Sequence, residues 1–197
     1  MKHSSLLLTL VALAFLTGCG PKSRTESPAS AVKASAADND SLSRYFPTLP
    51  HNRTAFDFQL PDSAGVMHAL HDFKGKWVIV DFWASWCGDC RADMPELKSL
   101  YKRCKDDVVF VGISFDTDPV QWKTYIAQQE LPWLQLCSFT PWHAKQPDGT
   151  QKEHPVAEAY GLHWIPTLFL ISPDGIINDF AIHAKDLLDK LKQTVYL

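Results

Sequence analysis

The run "KWVIVDFWASWCGDCRADMP", Lys76 to Pro95, constrains this chain more than any other stretch. Its first part, Lys76 to Ala84, is an apolar stretch interrupted by one acid, Asp81. A strand without polar alternation has both faces covered, so it belongs at the centre of a sheet. From Cys87 to about Lys105 the pattern turns helical, with Leu97, Leu100, Tyr101 and Cys104 on one side. "VVFVGISF", Val108 to Phe115, is a second central strand. Asp118 then reads as a helix cap, with Pro119 at the first helical position. "LPWLQLC" reads as a short strand, "SFTPWHAKQPDGTQKEHP" (Ser138 to Pro155) as a polar loop, and "VAEAYGL" as a short helix ending at Gly161. "IPTLFLI", the turn "SPDG" and "IINDFAI" form a hairpin, and "AKDLLDKLKQTV" closes with an amphipathic helix. Upstream, "TAFDFQL" alternates like a half-buried strand, and "VMHAL" pairs back across the turn "PDSAG". Strands interleaved with helices imply an α/β domain with a mostly parallel central sheet and helices on both faces.

The 197 residues suit one domain with a remainder at the N-terminus, and 46% hydrophobic content supports a real core. A net charge of −3 argues against a nucleic-acid surface, and there are no internal repeats. Lys2 followed by "LLLTLVALAFL", Leu6 to Leu16, reads as a signal segment, too short for a comfortable transmembrane helix. "LTGC", Leu16 to Cys19, resembles the bacterial lipobox, which implies cleavage after residue 18 and a lipid on Cys19. An ordinary signal peptide or a signal anchor is the competing reading. Gly20, with no Asp after the cysteine, leans by the same resemblance toward the outer membrane. Gly20 to Ser41 is rich in Ser, Ala, Pro and charge and cannot bury enough surface to order itself. The expected organisation is a leader over 1–18, a lipidated tether over 19–44 and a folded domain over 45–197.

Of the five cysteines, four remain once Cys19 is set aside, and a compartment outside the cytoplasm permits disulfides. Cys87 and Cys90 are the obvious pair. Two cysteines at this spacing, after a buried strand and opening a helix, are a redox arrangement. The helix N-terminus stabilises a thiolate at Cys87, and Cys90 lies about one turn on. Cys87 attacks a substrate disulfide, and Cys90 resolves the mixed disulfide. A structural disulfide and a zinc half-site are the alternatives. Zinc wants two more ligands at compatible spacing, and no second CxxC or HxxxH exists, so no metal is expected.

The segment "VIVDFWASWCGDCRADMPEL" resembles the active-site segment of the thioredoxin superfamily, in detail the TlpA/ResA-type membrane-anchored thiol–disulfide oxidoreductases. The likeness runs from about Thr54 to the C-terminus. Trp86 precedes Cys87 as in that family, Pro95 matches its helix-kinking proline, and "WIPT", Trp164 to Thr167, matches its cis-proline loop. Thr54 to Leu70 matches its N-terminal hairpin. The resemblance implies a thioredoxin-like fold: a central mixed sheet flanked by helices, extended by that hairpin. It implies Cys87 as nucleophile, Cys90 as resolving thiol, a cis Pro166 facing the pair and an Ile165 backbone that pairs with an extended substrate segment. Trp86 would shape the surface around Cys87. The implied partners are disulfide-containing proteins and a membrane thiol electron donor. The implied redox group is the Cys87–Cys90 disulfide with no other cofactor, in a monomer of the cell envelope.

Three positions depart from that family. Gly88 and Asp89 stand between the cysteines where the family often carries a proline, which should soften the loop. Asp81 matches the buried aspartate of thioredoxin itself, where many TlpA/ResA-type members have asparagine. Asp93 replaces a glutamate. A buried Asp81 is a candidate general base for Cys90, and Asp93 a candidate to share or tune that role. Exposed Asp89 competes with Cys87 for the helix field and should hold the potential low. Cys104 and Cys137 read as small buried hydrophobes, with a disulfide between them as the competing reading. Trp142, His143 and His154 are candidates for contact with a substrate or partner, against the reading of a solvated loop. A thiol peroxidase and a non-catalytic binding module are the rival classes. The peroxidase signature fails, because four and seven residues before Cys87 stand Trp83 and Val80.

Overall fold

The computed structural model describes residues 52–195. The leader, Cys19 and the tether expected over 1–44 lie outside the described residues. The apolar run folds as β3 (Trp77–Trp83), the middle strand of a five-stranded sheet. Val78, Ile79, Val80 and Phe82 are all at most 2% exposed, so covered faces and an unbroken apolar run go together here. β3 pairs in parallel with β4 (Val108–Ser114), and β4 in parallel with β5 (Leu134–Cys137). On its other side β3 runs antiparallel to β8 (Thr167–Ile171), which pairs antiparallel with β9 (Ile177–Ala181). The order is β5-β4-β3-β8-β9. The sheet is mixed rather than mostly parallel, because the short Ser172–Gly175 turn makes β8 and β9 a hairpin inside the same sheet.

The helices follow their sequence signals. α1 (Gly88–Cys104) buries Cys90, Met94, Leu97, Leu100 and Cys104, spaced three or four apart on one face. α2 (Pro119–Gln129) is capped by Asp118, whose carboxylate accepts the N–H of Val120 at 2.8 Å and of Gln121 at 3.2 Å. α3 (Pro155–Ala159) is short, and α4 (Ala184–Thr194) packs beside α1.

Two expectations need correction. The alternating segment from Thr54 forms a ladder only over β1 (Gln59–Pro61), paired with β2 (Met67–Ala69). Before that, Thr54 bridges Ile176, and the Ala55 N–H donates to Gly175 O at 2.9 Å. The segment is extended because it clips onto the β8–β9 turn, not because it continues the hairpin. The polar stretch over 138–155 is not a bare loop either. It contains β6 (His143–Lys145) and β7 (Gln151–Glu153), an antiparallel hairpin whose base is buried.

Candidate active site

β3 ends at Trp83, and after Ala84, Ser85 and Trp86 the chain reaches Cys87, the N-cap of α1. Its backbone is extended (φ −76°, ψ 117°), and its Sγ accepts the N–H of Cys90 at 3.1 Å. A sulfur that takes the place of a capping oxygen gains most as a thiolate, from this N–H and from the positive end of the helix. Cys87 and Cys90 are joined in a disulfide, their Cα atoms 5.3 Å apart. Cys87 is 7% exposed and Cys90 2%, so Cys87 is the more accessible of the two sulfur-bearing residues. The Ile165–Pro166 bond is cis, and the Ile165 carbonyl oxygen lies 3.7 Å from Cys87 Sγ. Pro166 brings no N–H to this face of the site. Trp86, Gly88 and Asp89 are exposed around the pair.

Asp81 lies within β3, flanked in register by Gly112 and Leu168, and is 3% exposed. Burial, with a smaller contribution from the charge of Asp93, pushes its pKa up to about 8. Asp93, the candidate to share or tune the role of Asp81, also holds the start of another helix. One of its oxygens accepts the N–H of Ala184 at 2.8 Å, and the other lies 3.7 Å from His183 Nδ1. It therefore caps α4 from a neighbouring helix. Burial raises its pKa, opposed by the Ala184 N–H and by His183. Asp93 reaches Asp81 through its field, not through a hydrogen bond.

Sequence reasoning passed over Asp116, which is 1% exposed at the end of β4. It accepts from the Ser85 N–H at 2.9 Å, the Ser85 hydroxyl at 2.6 Å and the Ser114 hydroxyl at 2.6 Å. Ser85 stands two residues before Cys87, so this buried acid pins the turn that presents Cys87. The available signal was a polar "SFDTD" immediately after a buried strand. Gln135 was also missed. It accepts the Trp83 indole N–H at 3.0 Å and lies over Gly112, in the same cross-strand row as Asp81.

Among the described residues the other two cysteines, Cys104 and Cys137, are buried and unpaired. Burial pushes the Cys137 thiol up to about 11, which keeps it out of thiolate chemistry at neutral pH. His154 is 3% exposed, and burial lowers its pKa. Its Nε2 lies 2.9 Å from Ser138 Oγ, and its Nδ1 accepts the Val156 N–H at 3.1 Å. It is a structural part of the hairpin base. Trp142 and His143, by contrast, line a groove beside Cys87 together with Trp86, Trp164 and Ile165.

A mixed sheet with a CxxC disulfide at a helix N-terminus, facing a cis-proline, defines a thioredoxin-like redox protein. The AhpC/TSA family model matches residues 52–180, and the chain belongs to that family. A solved thiol-disulfide oxidoreductase from Bacteroides fragilis is 32% identical with a TM-score of 0.62, covering 72% of this chain and 98% of that one. The thioredoxin domain of a thiol-disulfide oxidoreductase from Bacteroides vulgatus is 30% identical with a TM-score of 0.64, covering 75% and 99%. The thiol-disulfide oxidoreductase ResA of Bacillus thuringiensis is 31% identical over 124 residues, 62% of this chain and 64% of that protein. The match therefore spans less than two thirds of that curated relative's length.

Proposed function

We propose that this chain is an extracytoplasmic, membrane-anchored thiol–disulfide oxidoreductase that reduces disulfides in other proteins. The observation that carries this reading is Cys87 Sγ at the N-cap of α1, bonded to Cys90 and facing the cis Ile165–Pro166 bond. In the reduced protein the Cys87 thiolate attacks one sulfur of a substrate disulfide. A mixed disulfide forms as the substrate S–S bond breaks, and the second substrate sulfur leaves as a thiolate. Cys90 then loses its proton and attacks Cys87 Sγ, which restores the protein disulfide and releases the first substrate sulfur. Two electrons and two protons pass from the protein dithiol to the substrate.

Asp81 is our candidate base for Cys90. A carboxyl titrating at about 8 is close to an ordinary thiol at roughly 8.5, so proton exchange between them is nearly balanced. Asp93 acts on that exchange only by its charge. Trp86 and the Ile165 backbone receive the substrate segment, and Gly88 and Asp89 tune the pair. Exposed Asp89 and buried Asp81 both disfavour the thiolates, which supports a low, reducing potential. A membrane thiol donor must then return the electrons. The leader and the lipobox-like "LTGC" support a lipid on Cys19 and a place in the cell envelope, with a lean toward the outer membrane.

A Cys90→Ser variant tests the reading. Cys87 should then accumulate substrates as mixed disulfides, recovered by mass spectrometry and lost on adding Cys87→Ser. A Cys87 that stays alkylatable but captures no protein thiol would refute it. Peroxide consumption outpacing disulfide reduction would place the chain among thiol peroxidases.

A further inference from the structure

The β6–β7 hairpin has no part in the chemistry above, yet it stands beside the reactive sulfur. A groove of about 420 Å³ opens there, with Cys87, Trp86 and Trp164 on one side and Trp142 and His143 of the hairpin on another. This is within the size range of sites that take a small organic group. Trp86 is 53% exposed and Trp164 50%. Large apolar rings left in water around a reactive centre mark a binding surface. Among the described lining residues there is one carboxylate, Asp89, and no lysine or arginine. His143 and His163 also line it, and His143 Nδ1 already lies 2.9 Å from a Glu153 carboxylate oxygen, so what the groove offers a substrate is chiefly aromatic faces.

The hairpin wall is fixed. The His154 N–H donates to the Trp142 carbonyl at 2.7 Å, closing the base. The Trp142 ring packs on Phe115 at 4.8 Å, and Phe115 stacks on Phe82 of β3 at 6.0 Å. The His143 ring stacks on Trp142 at 5.5 Å and 26°. The wall is thus anchored to the strand that delivers Cys87, and a wall already in place loses little entropy when it binds.

We infer that the β6–β7 hairpin selects substrates: the groove takes an extended segment of a disulfide-bearing protein with an aromatic side chain next to the cysteine attacked. This rests on the oxidoreductase reading and adds its substrate class. The redox step is unchanged. Cys87 bonds to that cysteine's sulfur as the substrate S–S breaks, Cys90 closes the protein disulfide, and both substrate cysteines leave as thiols.

The test is single-turnover reduction by the pre-reduced chain of two short peptide disulfides, with Trp or Ala beside the cysteine, and of oxidised glutathione. The Trp peptide should react about five- to ten-fold faster than the Ala peptide, the size of one good aromatic contact. That ratio should hold from about 50 mM to about 0.5 M salt, since no ion pair contributes. Trp142 and His154 already face each other, so residues 143–153 can be replaced by a two-residue Asn-Gly turn. In that variant the ratio should fall below about two-fold. A wild-type ratio near one, or an undiminished ratio in the variant, overturns the inference. Failure of the wild type to reduce any of the three disulfides overturns the oxidoreductase reading beneath it. If a thermal melt shows that the shortened chain does not fold, Trp164→Ala and His143→Ala read the same ratio at exposed positions. An undiminished ratio in both is equally fatal to the inference.

Discussion

Asp81 and Asp116 are both buried acids, and their surroundings differ. Asp116 is surrounded by donors, three of them from Ser85 and Ser114. Asp81 is dominated by desolvation and titrates at about 8. Below pH 4 Asp81 is neutral in both folded and unfolded chains and costs nothing. Between about 4 and about 8 the unfolded chain ionises while the folded one keeps its proton, so stability falls as pH rises, and it levels off above. The loss is on the order of 5 kcal/mol at most. Asp81→Asn should therefore stabilise the oxidised protein by several kcal/mol at pH 9 and little at pH 4. Urea unfolding at the two pH values checks this, and an equal gain at both would contradict it. Asp116→Ala should destabilise by about 2–4 kcal/mol, because it strands buried donors. Asp116→Asn, which keeps one acceptor oxygen, should lose less in the same measurement.

At the scale of elements, the row Asp81–Gly112–Gln135 shows how strands set the site's environment. A Cβ on Gly112 would come within 2.9 Å of Gln135 Cδ, so the bare backbone of β4 is what lets the Gln135 amide lie across it and reach Trp83. Gly112→Ala should cost about 1–3 kcal/mol by overpacking. Adding Gln135→Ala should recover part of that loss, a coupling that a double-mutant cycle measures. Additive losses would mean that the two side chains do not compete for the space. The same logic of neighbouring elements explains Asp93. It stands on α1, yet its carboxylate accepts the Ala184 N–H at the start of α4, a donor with no partner inside its own helix.

For the whole molecule, the closed core has a chemical signature. Cys104 and Cys137 are at most 1% exposed. Alkylation of both in the oxidised protein should track global unfolding rather than local opening, its rate rising with urea in step with the unfolding equilibrium. Rapid labelling of Cys137 without denaturant would contradict the packing described. The strand–turn–helix around the cysteines, the β1–β2 and β8–β9 hairpins and the Asp118 cap were legible in sequence, because each rests on local periodicity, turn chemistry or a compact motif, and the cis-proline loop was legible through the family resemblance of "WIPT". Asp116, Gln135, the tertiary cap by Asp93 and the anchoring of the polar 138–155 segment were not. Each depends on which side chain a second element brings within a few ångströms, and that separation is not written in local spacing. The sequence by itself determined the order of elements and which two cysteines pair. Only the tertiary structure decided that Asp116 holds the turn before Cys87, that Asp93 reaches the start of α4, and that a polar hairpin walls the groove in front of Cys87. Burial and hydrogen bonding, which set those roles, are properties of the packed sheet and not of any single segment.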